Sequence, residues 1–139
     1  STNGLNHASI RGLVYAGTHL IIGQTNKGIW LYNPKKKTFK RPPFTNNEVD
    51  RMLKEKITQD FINQIKTLRN GDHIISARDG AYLMDGTTYT ISEIDFPGST
   101  HNVTFSYEDR KGSIFIGTLN GLFCLDANYE FKYEITEQI

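Results

Sequence analysis

Three stretches of this chain superimpose on one another, and that repetition restricts the fold more than any other feature. The first reads HLIIGQTNKGIWLYNPKKKTF from His19 to Phe39, the second HIISARDGAYLMDGTTYTI from His73 to Ile91, and the third SIFIGTLNGLFCLDANYEF from Ser113 to Phe131. Each holds an apolar run, a short polar turn, a glycine, and a second apolar run that ends at Asn33, Asp85 or Asp126. Another turn and an aromatic-bearing stretch follow. The glycines at 28, 80 and 121 stand 52 and 41 residues apart. A period of about 40 residues with several strands per repeat is the signature of propeller blades.

A further apolar stretch precedes each unit, at Ile10 to Tyr15, Ile62 to Leu68 and Val103 to Tyr107, so every repeat supplies four strands. They are expected near 8–15, 19–24, 28–33 and 37–41 in the first repeat. In the second they fall near 62–68, 73–78, 80–85 and 87–93, and in the third near 102–108, 113–118, 121–126 and 129–135. The second and third strands are apolar on both faces (Ile29-Trp30-Leu31-Tyr32, Ile114-Phe115-Ile116), as suits sheets sandwiched between neighbours. Asn70-Gly71, Asp79-Gly80 and Asp85-Gly86 are dipeptides that tolerate positive φ in tight turns. The expected class is all-β: a propeller fragment of three four-stranded antiparallel blades, at 5–44, 61–96 and 98–138.

The longer first interval holds an insertion over 45–60. Val49, Met52, Leu53 and Ile57 recur there at helical spacing, with Asn46 or Asn47 as N-cap and Glu48 and Asp50 in the first turn. One short amphipathic helix is expected near 46–57, its apolar stripe facing the core. Three blades do not close a ring, so the end blades should present flat apolar faces. Further blades of a parent propeller, or a second copy sharing a two-fold composite ring, would cover them.

Sixteen basic residues against fifteen acidic leave a net charge of +1, which gives no electrostatic case for nucleic acid or an anionic membrane. The basic run Lys35-Lys36-Lys37 follows the turn signal Asn33-Pro34 and reads as an exposed turn. The single cysteine, Cys124, lies in an apolar run and reads as a buried thiol. No segment approaches the roughly 18 consecutive apolar residues of a membrane span. The chain opens at Ser1 without an initiator methionine and reads as a piece of something longer.

The strings IIGQTNKGIWLYNPKKKTF and IFIGTLNGLFCLD resemble the regulator-propeller repeat, whose usual form is LWIGT-x-x-GL-x-x-YD-x-x-x-x-x-F. The matching positions are Ile22-Gly23 with Gly28 and Tyr32-Asn33, and Ile116-Gly117-Thr118 with Gly121-Leu122 and Leu125-Asp126. The middle copy departs from it, with Ser76-Ala77 in place of the Gly-Thr pair. Such repeats build the extracytoplasmic sensor region of hybrid two-component histidine kinases of the Bacteroides type. The resemblance implies a periplasmic location, a parent with many more blades, a membrane span and a cytoplasmic kinase. It also implies glycans or their breakdown products as the sensed ligands.

In a propeller the turns between second and third strands share one face with the connections between blades, and ligands are commonly held there near the axis. On this chain that face would carry Asn6 and His7, the insertion, and His101 with Asn102. The turns would add Gln24, Asn26 and Lys27, Arg78 and Asp79, and Asn120. Their amides, hydroxyl-binding cations and carboxylates suit sugar hydroxyls or a protein partner, and equally suit ordinary solvated turns. His7 and His101 lack the third converging ligand a metal would require. His19 and His73 open second strands and read as turn residues. No GxSxG, HExxH, P-loop or GxGxxG pattern occurs, so no catalytic residue and no cofactor is expected. A propeller enzyme resembling the streptogramin-inactivating lyases is the alternative from another class, and a purely structural blade set is the third.

Overall fold

The computed structural model describes residue 5 and residues 8–136; Asn6 and His7 lie outside the described residues. Twelve strands form three four-stranded antiparallel sheets, each in simple sequence order. The first sheet comprises β1 (Ile10–Ala16), β2 (His19–Gln24), β3 (Gly28–Asn33) and β4 (Thr38–Lys40). After helix α1 (Glu48–Ile57), the second comprises β5 (Ile62–Thr67), β6 (His73–Ala77), β7 (Gly80–Met84) and β8 (Ile91–Ile94). The third comprises β9 (Val103–Glu108), β10 (Ile114–Thr118), β11 (Gly121–Leu125) and β12 (Phe131–Ile135). The first strand of each sheet lies beside the first strand of the next, β1 against β5 and β5 against β9, so these strands are innermost. This is a propeller fragment of three blades.

Alternation along the strands sends successive side chains to opposite blade interfaces. Ile21, Ile29 and Leu31 of the first blade meet Ile62, Ile75, Tyr82 and Met84 of the second in one core. Ile74, Ala81 and Ile94 on the opposite side of the second blade meet Ile114, Ile116 and Phe123 of the third in another. The middle blade is therefore buried on both faces, and every residue of β6 is buried. At the innermost edge the sheets close in until only glycine fits. A Cβ on Gly12 or Gly23 would sit 2.6 or 2.7 Å from Ile65 or Ile62 side-chain carbons of the neighbouring blade.

The residue closing each third strand has a local task. Asn33 Oδ1 accepts from the amides of Lys35 and Lys36, Asp85 Oδ1 from Thr87 and Thr88, and Asp126 Oδ1 from Asn128 and Glu130. These amide bonds lower the carboxyl pKa of Asp85 and of Asp126. Each turn also places one residue at positive φ: Lys37, Tyr89 or Tyr129. The glycine expectation holds for Gly71, at φ 95°, but neither Gly80 nor Gly86 has positive φ. Gly86 is needed for closeness instead, since a Cβ there would lie 2.0 Å from Gly71 O. The fourth strand of the second blade starts at Ile91 rather than near 87, because that turn occupies the residues before it.

Helix α1 forms where expected, with Asn47 as N-cap accepting from Val49 N at 2.8 Å and Asp50 N at 3.1 Å. Its apolar stripe does not all turn inward. Leu53 and Ile57 are buried, whereas Val49 and Met52 are 53% and 59% exposed. The inward face is centred instead on Asp50, Leu53, Lys54 and Ile57. Asp50 is fully enclosed and accepts from Ile91 N at 2.7 Å, Thr45 Oγ1 at 2.9 Å and Lys54 Nζ at 3.0 Å. Burial pushes its carboxyl up, but these donors outweigh that and hold it below the usual range. Lys54 Nζ also donates to Pro43 O at 2.6 Å, so one buried ion pair pins the helix to β8 and to the chain entering it. His73 likewise departs from the turn role: it is 1% exposed, with Nδ1 3.0 Å from Thr67 Oγ1 and Nε2 unpartnered.

Candidate functional site

On one face of the blades, each turn between second and third strands is tied to the segment leading into that blade's first strand. Thr25 N donates to Ser9 O at 3.0 Å, Arg78 N to Phe61 O at 2.9 Å, and Leu119 N to His101 O at 3.1 Å. The first strand then carries one extra residue in every blade: Arg11, Asn63 and Thr104 fall where the register skips. Bulges re-aim side chains and recur beside functional sites. Asn63 Nδ2 donates across the interface to Asn102 Oδ1 and Val103 O, both at 2.8 Å, while Thr104 Oγ1 donates to Gly117 O at 3.0 Å. Gln64 Oε1 adds a second tie, accepting from Ser106 N at 2.8 Å.

Asp60 joins the turns of the first two blades. Its backbone carbonyl accepts from Asn26 N at 2.9 Å, and its carboxylate accepts from Phe61 N at 2.7 Å and Asp79 N at 3.2 Å. Burial lifts this carboxyl above its ordinary range, against the opposing pull of the Phe61 amide, and the neighbouring Asp79 charge adds to the lift. Arg78 lies over the Phe61 ring at 4.3 Å and pairs with Asp79 at 3.5 Å. Both charges are half exposed, so the pair orients more than it stabilises.

The residues singled out in the sequence divide between these environments. Asn26, Lys27, Arg78, Asp79, His101 and Asn120 are exposed on this face. Gln24 is fully enclosed, its side chain donating to Ala8 O at 3.3 Å and accepting from Trp30 Nε1 at 3.1 Å. Asn102, at φ 60°, is half-buried and engaged with Asn63. Arg11 and Asn63 were not singled out, because a bulge depends on register between strands, which no local pattern encodes, and Asp60 was placed on this face only as the end of the insertion. Among the described residues no group of three His, Cys, Asp or Glu side chains gathers to hold a metal. No described helix is long and apolar enough to cross a membrane.

A cleft of about 430 Å³ opens on the same face, farther from the centre, between α1 and the first blade. Ile29, Pro42, Pro43, Phe44, Ile57 and Ile91 form its apolar lining, with Arg41 and Glu55 as the charged groups not already paired. Arg41 stacks on Trp30 at 3.7 Å, and its Nη1 donates to Lys27 O at 2.5 Å and Ile29 O at 2.9 Å.

No family model matches the chain, and no curated protein matches it. Solved structures do. The extracellular domain of the putative hybrid two component system BT3049 from B. thetaiotaomicron is 21% identical at a TM-score of 0.65, with 89% of this chain covering 16% of that one. That of the putative one component system BT4673 from the same organism is 18% identical at 0.69, with 98% covering 18%. The computationally designed Ika4 protein is 11% identical at 0.67, with 99% covering 78%. The chain spans less than a fifth of either sensor domain. At these identities the shared property is the fold, the stacking of four-stranded propeller blades.

Proposed function

We propose that the chain is a non-catalytic, ligand-sensing segment of an extracytoplasmic two-component sensor propeller, with glycans or their breakdown products as ligands. The observation that carries this reading is the braced polar rim. Turns from three blades meet on one face, and Asp60, Asn63 and Asn102 lock neighbouring blades together beneath the exposed side chains. A rim of that kind presents amide, guanidinium and carboxylate groups without having to order itself on binding, which favours recognition of hydroxyl-rich ligands. The likeness to sensor ectodomains supports the setting. Asn26, Lys27, Arg78, Asp79, His101 and Asn120 are the contacts in this reading. The open faces of the first and third blades take further blades of the parent.

Amide chemical shifts recorded during titration with a panel of neutral oligosaccharides test the proposal. Saturable shifts at Asn26, Arg78 and His101 are expected, lost on Arg78→Ala. Shifts confined to the opposite turns, around Gly71 and Gly112, would refute it.

A further inference from the structure

We propose that the cleft between α1 and the first blade is a binding site for a small monocarboxylate with an apolar body. This is independent of the polar rim and does not require it. The cleft's volume of about 430 Å³ falls within the roughly 300–1,000 Å³ of small-molecule sites. Its walls are rigid, because they belong to strand ends, a proline pair and a helix pinned by the Asp50–Lys54 pair. Ile29, Ile57 and Ile91 are buried at its floor, while Phe44 stands 55% exposed at its mouth. An apolar ligand body would cover that ring.

The polar end of the cleft selects the head group. The Arg41 guanidinium is fixed in place from two sides, by the indole face of Trp30 and by two backbone carbonyls on Nη1. Its Nε and Nη2 have no hydrogen-bond partner among the described residues, and together they form the edge that receives a carboxylate bidentately. Lys54 does not compete, since its ammonium is spent on Asp50 and Pro43 O. Glu55 lines the same cleft as the one unpaired negative charge. Arg51, over the Phe44 ring at 5.5 Å, adds a second cation at the rim, so the cleft favours an anionic head near Arg41. Arg41 and Glu55 are thus set to decide between ligands of equal shape and different charge.

Trp30 is the sole tryptophan, and it touches Arg41, so its fluorescence reads occupancy directly. The full chain is titrated with 4-phenylbutyrate and, separately, with the isosteric uncharged 4-phenylbutyramide, with amide shifts mapped in parallel. Saturable binding of the acid with Kd below about 1 mM is expected, about tenfold tighter than the amide. Shifts should cluster at Phe44, Glu55 and Thr58. Arg41→Gln should erase the preference for the acid, and Glu55→Gln should strengthen acid binding without altering the amide. Phe44→Ala should weaken both ligands alike. Equal binding of acid and amide overturns the proposal, as do shifts away from α1 or failure to saturate. If Arg41→Gln does not fold, the two exposed positions carry the test: acid binding unchanged in both Glu55→Gln and Phe44→Ala overturns it too.

Discussion

His73 shows how one side chain can couple this fold to pH. It occupies the position that Leu20 and Ile114 hold in the other blades, and it is as enclosed as Ile114. Burial opposes the charged imidazolium and lowers its pKa below 6.5, with Asp72 pulling weakly the other way. The unfolded chain therefore binds a proton here more readily than the folded one. Stability from this site is fully present above pH 6.5 and falls as pH drops through the window beneath it. The melting temperature should decline from pH 7 to pH 5 in the parent chain, and His73→Leu should flatten that decline. An unchanged slope in His73→Leu would assign the pH dependence elsewhere. The repeat alignment could have revealed this residue as an intruder on an apolar column. The Asn and Asp residues closing the third strands were easier to read, since their type and spacing name their turn directly.

At the scale of elements, the twelve strands were legible because their pattern of apolar runs and turn residues recurs, and each copy checks the others. The helix was legible too, but its orientation was not. Periodicity located an apolar stripe, whereas the buried face follows Asp50, whose bond to Ile91 N joins residues 41 positions apart. Two adjacent residues test that orientation. Leu53→Ala removes a 3% exposed side chain from the buried cluster that also holds Ile29, Ile57 and Ile91, and should destabilise the chain by about 2–5 kcal/mol. Met52→Ala, one position away and largely exposed, should stay within about 0.5 kcal/mol. Urea unfolding of the two variants decides it, and equal losses would mean the helix is rotated from the placement described. The site was less legible than the fold for a related reason. Asp60 and the bulged Asn63 acquire their roles from register and from partners in other blades, and Arg41 from an indole and carbonyls that only the folded hairpin brings beside it.

At the scale of the molecule, the middle blade shows what the outer blades lack. Tyr82, on its face toward the first blade, is wholly enclosed. Trp30, at the matching register position, looks outward from the first blade beside Leu13 and Tyr15, which are 58% and 63% exposed. The far side of the third blade presents Phe105, Tyr107 and Tyr133, each more than half exposed. Faces of these two kinds are covered where blades stack, by further blades of the parent or, if this stretch pairs with itself, by a second copy. A two-fold pair would satisfy both faces at once and stop, whereas a mismatch in rotation would leave an open chain that keeps growing. The 139-residue chain at high micromolar concentration is expected to sediment as a closed dimer. Tyr15→Lys or Phe105→Lys alone should break it, because every contact uses one face of each kind. An equimolar mixture of the two variants should recover a single contact, through the unaltered third-blade face of the Tyr15→Lys chain and the unaltered first-blade face of the other. A monomer at all concentrations, or dimers indifferent to both substitutions, would show that these apolar faces do not recognise each other, leaving them to blades of another sequence.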